Sequence, residues 1–247
     1  MRNRNTVDAN NTTATVYWSE SSTLVTPDRW IGNRIGTTPP VNVPAGDTLV
    51  VAGPIIWRGA DIPAGGHYCF VAILDQSSDL KPPVPSETDW DGFCAFICNN
   101  NNVTWRNLNV IDNVPDPSIQ AFMMTGAPDR GRLFDVEIIR RLPEKANVIL
   151  EVPLALFANL PDKSFLKAEI DRKEKIARLA LPHLRSFVLE NVKLRKGARY
   201  PCQLIVTGLK GQKASGHSIA IRQIFEEQEV GRITWAFEEK RGEARLI

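Results

Sequence analysis

Apolar residues in this chain come in short runs of period two, broken by Gly, Pro and Asn. Phe134, Val136 and Ile138 alternate with Asp135 and Glu137, and Leu204 and Val206 share one face of the next such run. Period two with one polar face is the pattern of antiparallel strands solvated on one side. It predicts strands at Thr13–Ser19, Thr48–Ala52, Tyr68–Leu74 and Val103–Ile111 in the first half. In the second half it predicts Ile119–Met124, Leu133–Arg141, Asn147–Val152, Phe187–Arg195, Cys202–Leu209, His217–Glu226 and Gly231–Phe237. Val103–Ile111 carries a phase slip, the mark of a bulge or bend. PAGD at Pro44–Asp47 and PAGG at Pro63–Gly66 read as turns. Between Asp75 and Asn102 lies a polar, Pro-rich excursion with one expected helix, Trp90–Cys98, whose Phe93, Phe96 and Ile97 share a face. The asparagines Asn99–Asn102 are expected to end that helix in left-handed geometry. Leu166–Leu184 fits neither period and reads as an irregular crossing or a short helix. Many strands with turn signals and little helical pattern point to an all-β fold of sandwich type.

Length and charge divide this pattern. A chain of 247 residues makes one large domain or two small ones. Net charge is −5 over residues 1–117 and +7 over residues 118–247, as expected of two units with separate surfaces. Asn113–Pro117, with Pro115 and Pro117, reads as the linker. The expected domains are residues 1–114 and 115–247, tandem in architecture and without a residue-level repeat. No apolar run is long enough for a membrane span. No dense Lys/Arg block interleaved with aromatics signals a nucleic-acid partner. The opening residues lack the apolar region of a signal peptide. The chain is therefore expected to be intracellular or a piece of a longer export substrate, with an extracellular or cell-surface setting favoured through the parent protein.

Three constellations could carry chemistry. His67 and Cys69 would share a strand face, as a nucleophile and its base must. Yet Tyr68–Leu74 is so apolar that Cys69 reads as a core thiol, as does Cys202. Cys94 and Cys98 stand at C-x3-C with no second pair and are expected to form neither a metal site nor a disulfide. Asp75, Asp79, Glu87, Asp89 and Asp91 crowd one loop, and of these Asp75, Asp89 and Asp91 are the calcium candidates. The simpler reading of Asp89 or Thr88 is a helix cap, with Asp91 favouring the helix dipole. Among the aromatics, Trp18 and Trp105 lie on strands and read as core. Trp30 and Trp90 lie in loops and could offer a ring face to a sugar. The binding-loop candidates are accordingly Trp30, Asp79 and Trp90; no catalytic residue, resident metal or cofactor is expected. Tyr68 and Trp105 are assigned to the core of the first domain, and Phe134, Val136, Leu204 and Val206 to that of the second. Loss of Lys81–Glu87 is expected to leave folding nearly intact.

Thr15–Trp30, Pro63–Asp75, Asn100–Asp112 and Glu229–Phe237 resemble the Ig-like C-terminal regions of large bacterial multidomain proteins, often downstream of subtilisin-like or other peptidase domains. The first three segments also resemble CARDB-type adhesion-related domains. The resemblance implies two tandem Ig-like antiparallel β-sandwiches with one short helix in a long loop of the first, which lacks its first strand or two. It brings no catalytic residue. It implies a non-catalytic accessory region that binds a protein or a surface glycan; the alternatives are a carbohydrate-binding module and, behind it, a Cys/His hydrolase.

Overall fold

A computed structural model describes residues 1–63, 68–86, 88–106, 108–112, 116–161, 167–209 and 216–238. The chain is all-β: among the described residues the strands pair almost throughout in antiparallel fashion, with two short α-helices. It divides into two compact units: Met1–Glu20 with Val25–Arg106, and Ser21–Leu24 with residues 107–247. The expected boundary at 114/115, like most of the linker, lies outside the described residues.

The first unit contains β1 (Arg2–Asn3), β2 (Ala9–Glu20), β3 (Arg34–Thr37), β4 (Val41–Val43), β5 (Thr48–Leu49), β6 (Tyr68–Asp75), helix α1 (Trp90–Asn99) and β7 (Val103–Arg106). Its main sheet runs β3-β2-β6-β7, β4 also pairs with β2, and β1 pairs with β5. Alternation along β6 buries Cys69, Val71 and Ile73 on one face, where they meet Val25, Trp30 and Phe96. Burying side chains of this size contributes about 1.5–3 kcal/mol each. Helix α1 starts at Asp89, whose carboxylate accepts from the Gly92 N–H at 2.8 Å, so the capping reading of this aspartate is the one realised. Its other end differs from expectation. Asn100 is extended, with φ −110°, and caps through its side chain, donating Nδ2 to the Phe96 carbonyl at 3.0 Å.

The second unit is a β-sandwich. It contains β8 (Leu108–Asp112), β9 (Ser118–Thr125), β10 (Arg132–Arg141), β11 (Asn147–Pro153), helix α2 (Leu154–Phe157), β12 (Lys167–Asp171), β13 (Ile176–Ala180), β14 (Ser186–Leu194), β15 (Arg199–Thr207), β16 (His217–Phe225) and β17 (Gln228–Glu238). One five-stranded sheet runs β14-β10-β16-β17-β8 and the other β12-β13-β11-β15-β9. The inner faces carry Phe134, Val136, Leu204 and Val206, all buried as their alternation requires. Phe122 and Trp235 meet edge to face at 5.4 Å. A bulge interrupts β14 against β10 between Phe134 and Val136. There Asn191 takes a φ of 55° and its N–H is held by the Asp135 carboxylate at 2.8 Å.

Two assignments change. Leu108–Asp112, read from the sequence as the tail of the first domain, pairs in parallel with β17 and belongs to the second unit. Lys167–Ala180, within the stretch read as an irregular crossing or a short helix, is the hairpin β12–β13, turned at Lys175 with φ 58°. β12 is an edge strand exposed along most of its length, so it carries no apolar alternation to reveal it.

The segment Ser21–Leu24 threads into the second unit. Ser22 forms a parallel bridge with Met123, and the Thr23 hydroxyl donates to Gln223 Oε1 at 2.8 Å. Gln223, fully buried, donates Nε2 to the Thr125 carbonyl at 3.0 Å. Its polar atoms are thus satisfied inside an apolar core.

Candidate functional site

The aromatic residues exchange the roles expected of them. Trp30 and Trp90 are only 1% and 2% exposed, so neither presents a ring to solvent. Trp30 donates Nε1 to the Val25 carbonyl at 3.2 Å and packs between Tyr17 and Phe96; Trp90 packs on Phe93. Trp18 instead lies on the opposite face of the sheet, half-buried, across from Phe70. It stacks on Trp57 at 5.7 Å, and Tyr68 meets both rings edge-on. Tyr68 is half-buried there, not in the core, and donates its hydroxyl to the Pro63 carbonyl at 2.5 Å. Trp105 packs, half-buried, against the core cluster. Trp57 covers Trp18 from an extended segment whose inward positions are Ile55 and Trp57. The outward positions of that segment include Val51 and Ile56, 87% and 78% exposed.

The acidic residues are dispersed. Asp75 accepts from the Lys81 N–H at 3.2 Å, Asp89 is the helix cap, and Asp91 is exposed in the first turn of α1. Glu87 lies outside the described residues. No group of His, Cys, Asp and Glu able to hold a metal exists among the described residues. Val84 packs on the core cluster, so removing Lys81–Glu87 would strip packing from α1 and the sheet, contrary to the expectation from the loop's polarity.

His67 also lies outside the described residues. Cys69 is buried in the core, and burial pushes the Cys202 thiol up to about 12. No cysteine is in a disulfide. Iodoacetamide at pH 8 is therefore expected to label the exposed Cys98 in the native protein and to reach Cys69 and Cys202 only after unfolding. Peptide mass spectrometry after timed labelling checks this; equal labelling of all three at early times would contradict it.

Asp79 alone among the candidates opens onto a concave site. A cavity of about 600 Å³ is bounded by the turn after β1, by the start of β2, and by both ends of the excursion between β6 and β7. That is the size of a small-ligand pocket. Asn3 shapes it from within. Its Nδ2 donates to the carbonyls of Val7 at 2.8 Å and Val43 at 3.0 Å, and its Oδ1 accepts from the Asn5 N–H. Asn102, also buried, donates to the Asp79 carbonyl at 3.3 Å and so ties the two ends of the excursion together. Gln76 holds the same turn by accepting from the Ser78 N–H and hydroxyl.

Further polar groups line the cavity. Asp8 spends one carboxylate oxygen on the Ala45 N–H at 2.8 Å. The side chains of Asn5, Asp79 and Asn101 make no hydrogen bond or ion pair among the described residues. Arg2 and Arg4 are drawn to Asp47, at 2.5 and 3.3 Å, and the Arg2 hydrogen bond above all holds that carboxyl below its usual range. The cavity thus offers amide donors and acceptors and carboxylate acceptors, flanked by the apolar Val7, Val43 and Leu74. It has the hydrogen-bonding capacity to take several hydroxyl groups at once. The sequence signal for it was the long excursion itself; the contribution of residues 1–12 carried none.

No family model and no curated protein matches the chain.

Proposed function

We propose that this chain is a non-catalytic accessory region of a larger bacterial protein, and that its first unit binds a hydroxyl-rich ligand, a surface glycan, in the cavity beside Asp79. The observation that carries this reading is the set of unspent polar side chains, Asn5, Asp79 and Asn101, around a preformed hollow braced by Asn3 and Asn102. Pairs of carboxylate and amide groups match vicinal hydroxyls, which both donate and accept. The bracing keeps the entropy cost of binding low. The resemblance to Ig-like, CARDB-type regions supports an adhesive role. A glycan array probed with the whole chain is expected to show selective binding that an Asp79→Ala, Asn101→Ala double variant loses by tenfold or more, with unfolding unchanged. Binding unaffected by the double variant would overturn the cavity assignment.

A second reading rests on a different surface. Val51 and Ile56 give the extended segment over Trp18 an apolar outer side, and Phe70 of β6, beside Trp57, is partly exposed at its margin, which suits a protein partner. Ile56→Asp would abolish that contact and leave glycan binding intact.

A further inference from the structure

The inward-facing row of β10 reads Phe134, Val136, Ile138 and then Arg140. Alternation therefore carries a guanidinium to the core-facing side, where Arg140 is only 8% exposed. A buried cation is normally matched by a carboxylate, yet Arg140 forms no ion pair among the described residues. Its Nη1 and Nη2 instead reach the carbonyls of Pro182 and Ala146, and Nη2 also stands 3.4 Å from His183 Nδ1. Arg140 borders a cavity of about 520 Å³ shared with Leu142, Glu144, His183, Leu184 and Arg185. The Arg140 N–H donates to the Arg185 carbonyl at 2.7 Å, which sets the two arginines side by side in the chain path. The Arg185 side chain has no partner among the described residues. His183 Nδ1 donates to the Glu144 carbonyl at 3.0 Å, which fixes the loop that forms one wall. Leu184 is 56% exposed at the same rim. Two guanidiniums outweigh the one carboxylate of Glu144, and the leucines add an apolar wall.

We infer that this cavity of the second unit binds a small organic carboxylate with an apolar body. The planar guanidinium of Arg185 suits a carboxylate, to which it donates two parallel hydrogen bonds, while Arg140, engaged with carbonyls, adds positive charge beside it. The leucines take the aliphatic or aromatic part of the ligand and separate it from a bare inorganic anion. This site is independent of the glycan cavity of the first unit.

Isothermal titration of the whole chain with hexanoate tests it, with acetate, hexanol and inorganic phosphate as comparisons. Hexanoate should bind saturably and more tightly than acetate or phosphate, and hexanol should not bind. Arg185→Gln, at an exposed position, should weaken hexanoate roughly tenfold without moving the unfolding midpoint. Leu184→Ser should erase the preference for hexanoate over acetate. Glu144→Gln should tighten binding about threefold by removing a like charge, a change that a purely structural role would not produce. Phosphate binding as well as hexanoate, unsaturable hexanoate binding, or affinity unchanged in Arg185→Gln would each overturn the assignment.

Discussion

Replacing Gly231 with alanine is expected to destabilise the second unit by about 3 kcal/mol or more. A Cβ at this position would stand 1.8 Å from the Thr23 carbonyl oxygen and 3.2 Å from Leu24 Cα. Both are backbone atoms of the segment that threads between the strands, so no side-chain rotation relieves the collision. Either Ser21–Leu24 is expelled or β17 shifts against its neighbours. Gly131 offers the control within the same unit, because its nearest neighbour to a new Cβ lies at 3.4 Å. Hydrogen exchange of the β16 and β17 amides in rising urea should show a large loss for Gly231→Ala and little for Gly131→Ala. Equal behaviour of the two would mean that the threaded segment does not lie where it is described.

Gln223→Ala is expected to cost about 2–4 kcal/mol, from two lost hydrogen bonds and a cavity. The side chain joins the Thr23 hydroxyl to the Thr125 carbonyl in a region closed to water, and truncation leaves both without this partner. The Thr23 hydroxyl retains only long contacts, donating to the Met123 carbonyl at 3.5 Å and accepting from the Thr125 N–H at 3.4 Å. Thr23→Val keeps the shape and removes one hydroxyl, so it should cost less than Gln223→Ala. Urea unfolding of the two variants checks the order; a Gln223→Ala protein as stable as the parent would remove the threaded segment from the energetics of the unit.

The strands that bury one face were legible in the sequence, because burial and alternation are the same fact seen twice. Phe134, Val136, Leu204 and Val206 show this directly. β12 was not legible, since an exposed edge strand has no buried face to mark it. Trp18 and Trp30 were misassigned for a related reason. Strand position sets which face a ring occupies, but not what covers that face. The outer face at Trp18 is covered by Trp57 from an extended segment, with Tyr68 at its edge, while the loop ring of Trp30 folds back under α1. Of the candidate site, Asp79 could be singled out from the length and polarity of its loop. Asn5 and Asp8 could not, because their approach depends on the pairing of β1 with β5 and on the Asn3 hydrogen bonds. Neither feature has a periodic signature.

The central claim is that the first unit binds a hydroxyl-rich ligand beside Asp79. It is tested most directly by amide chemical-shift mapping of the labelled chain titrated with the strongest glycan from the array. The account predicts saturable shifts clustered at Asn5, Asp8, Gln76, Asp79 and Asn101. Shifts centred on Trp18, Trp57 and Phe70, or no saturable shifts at all, would contradict it.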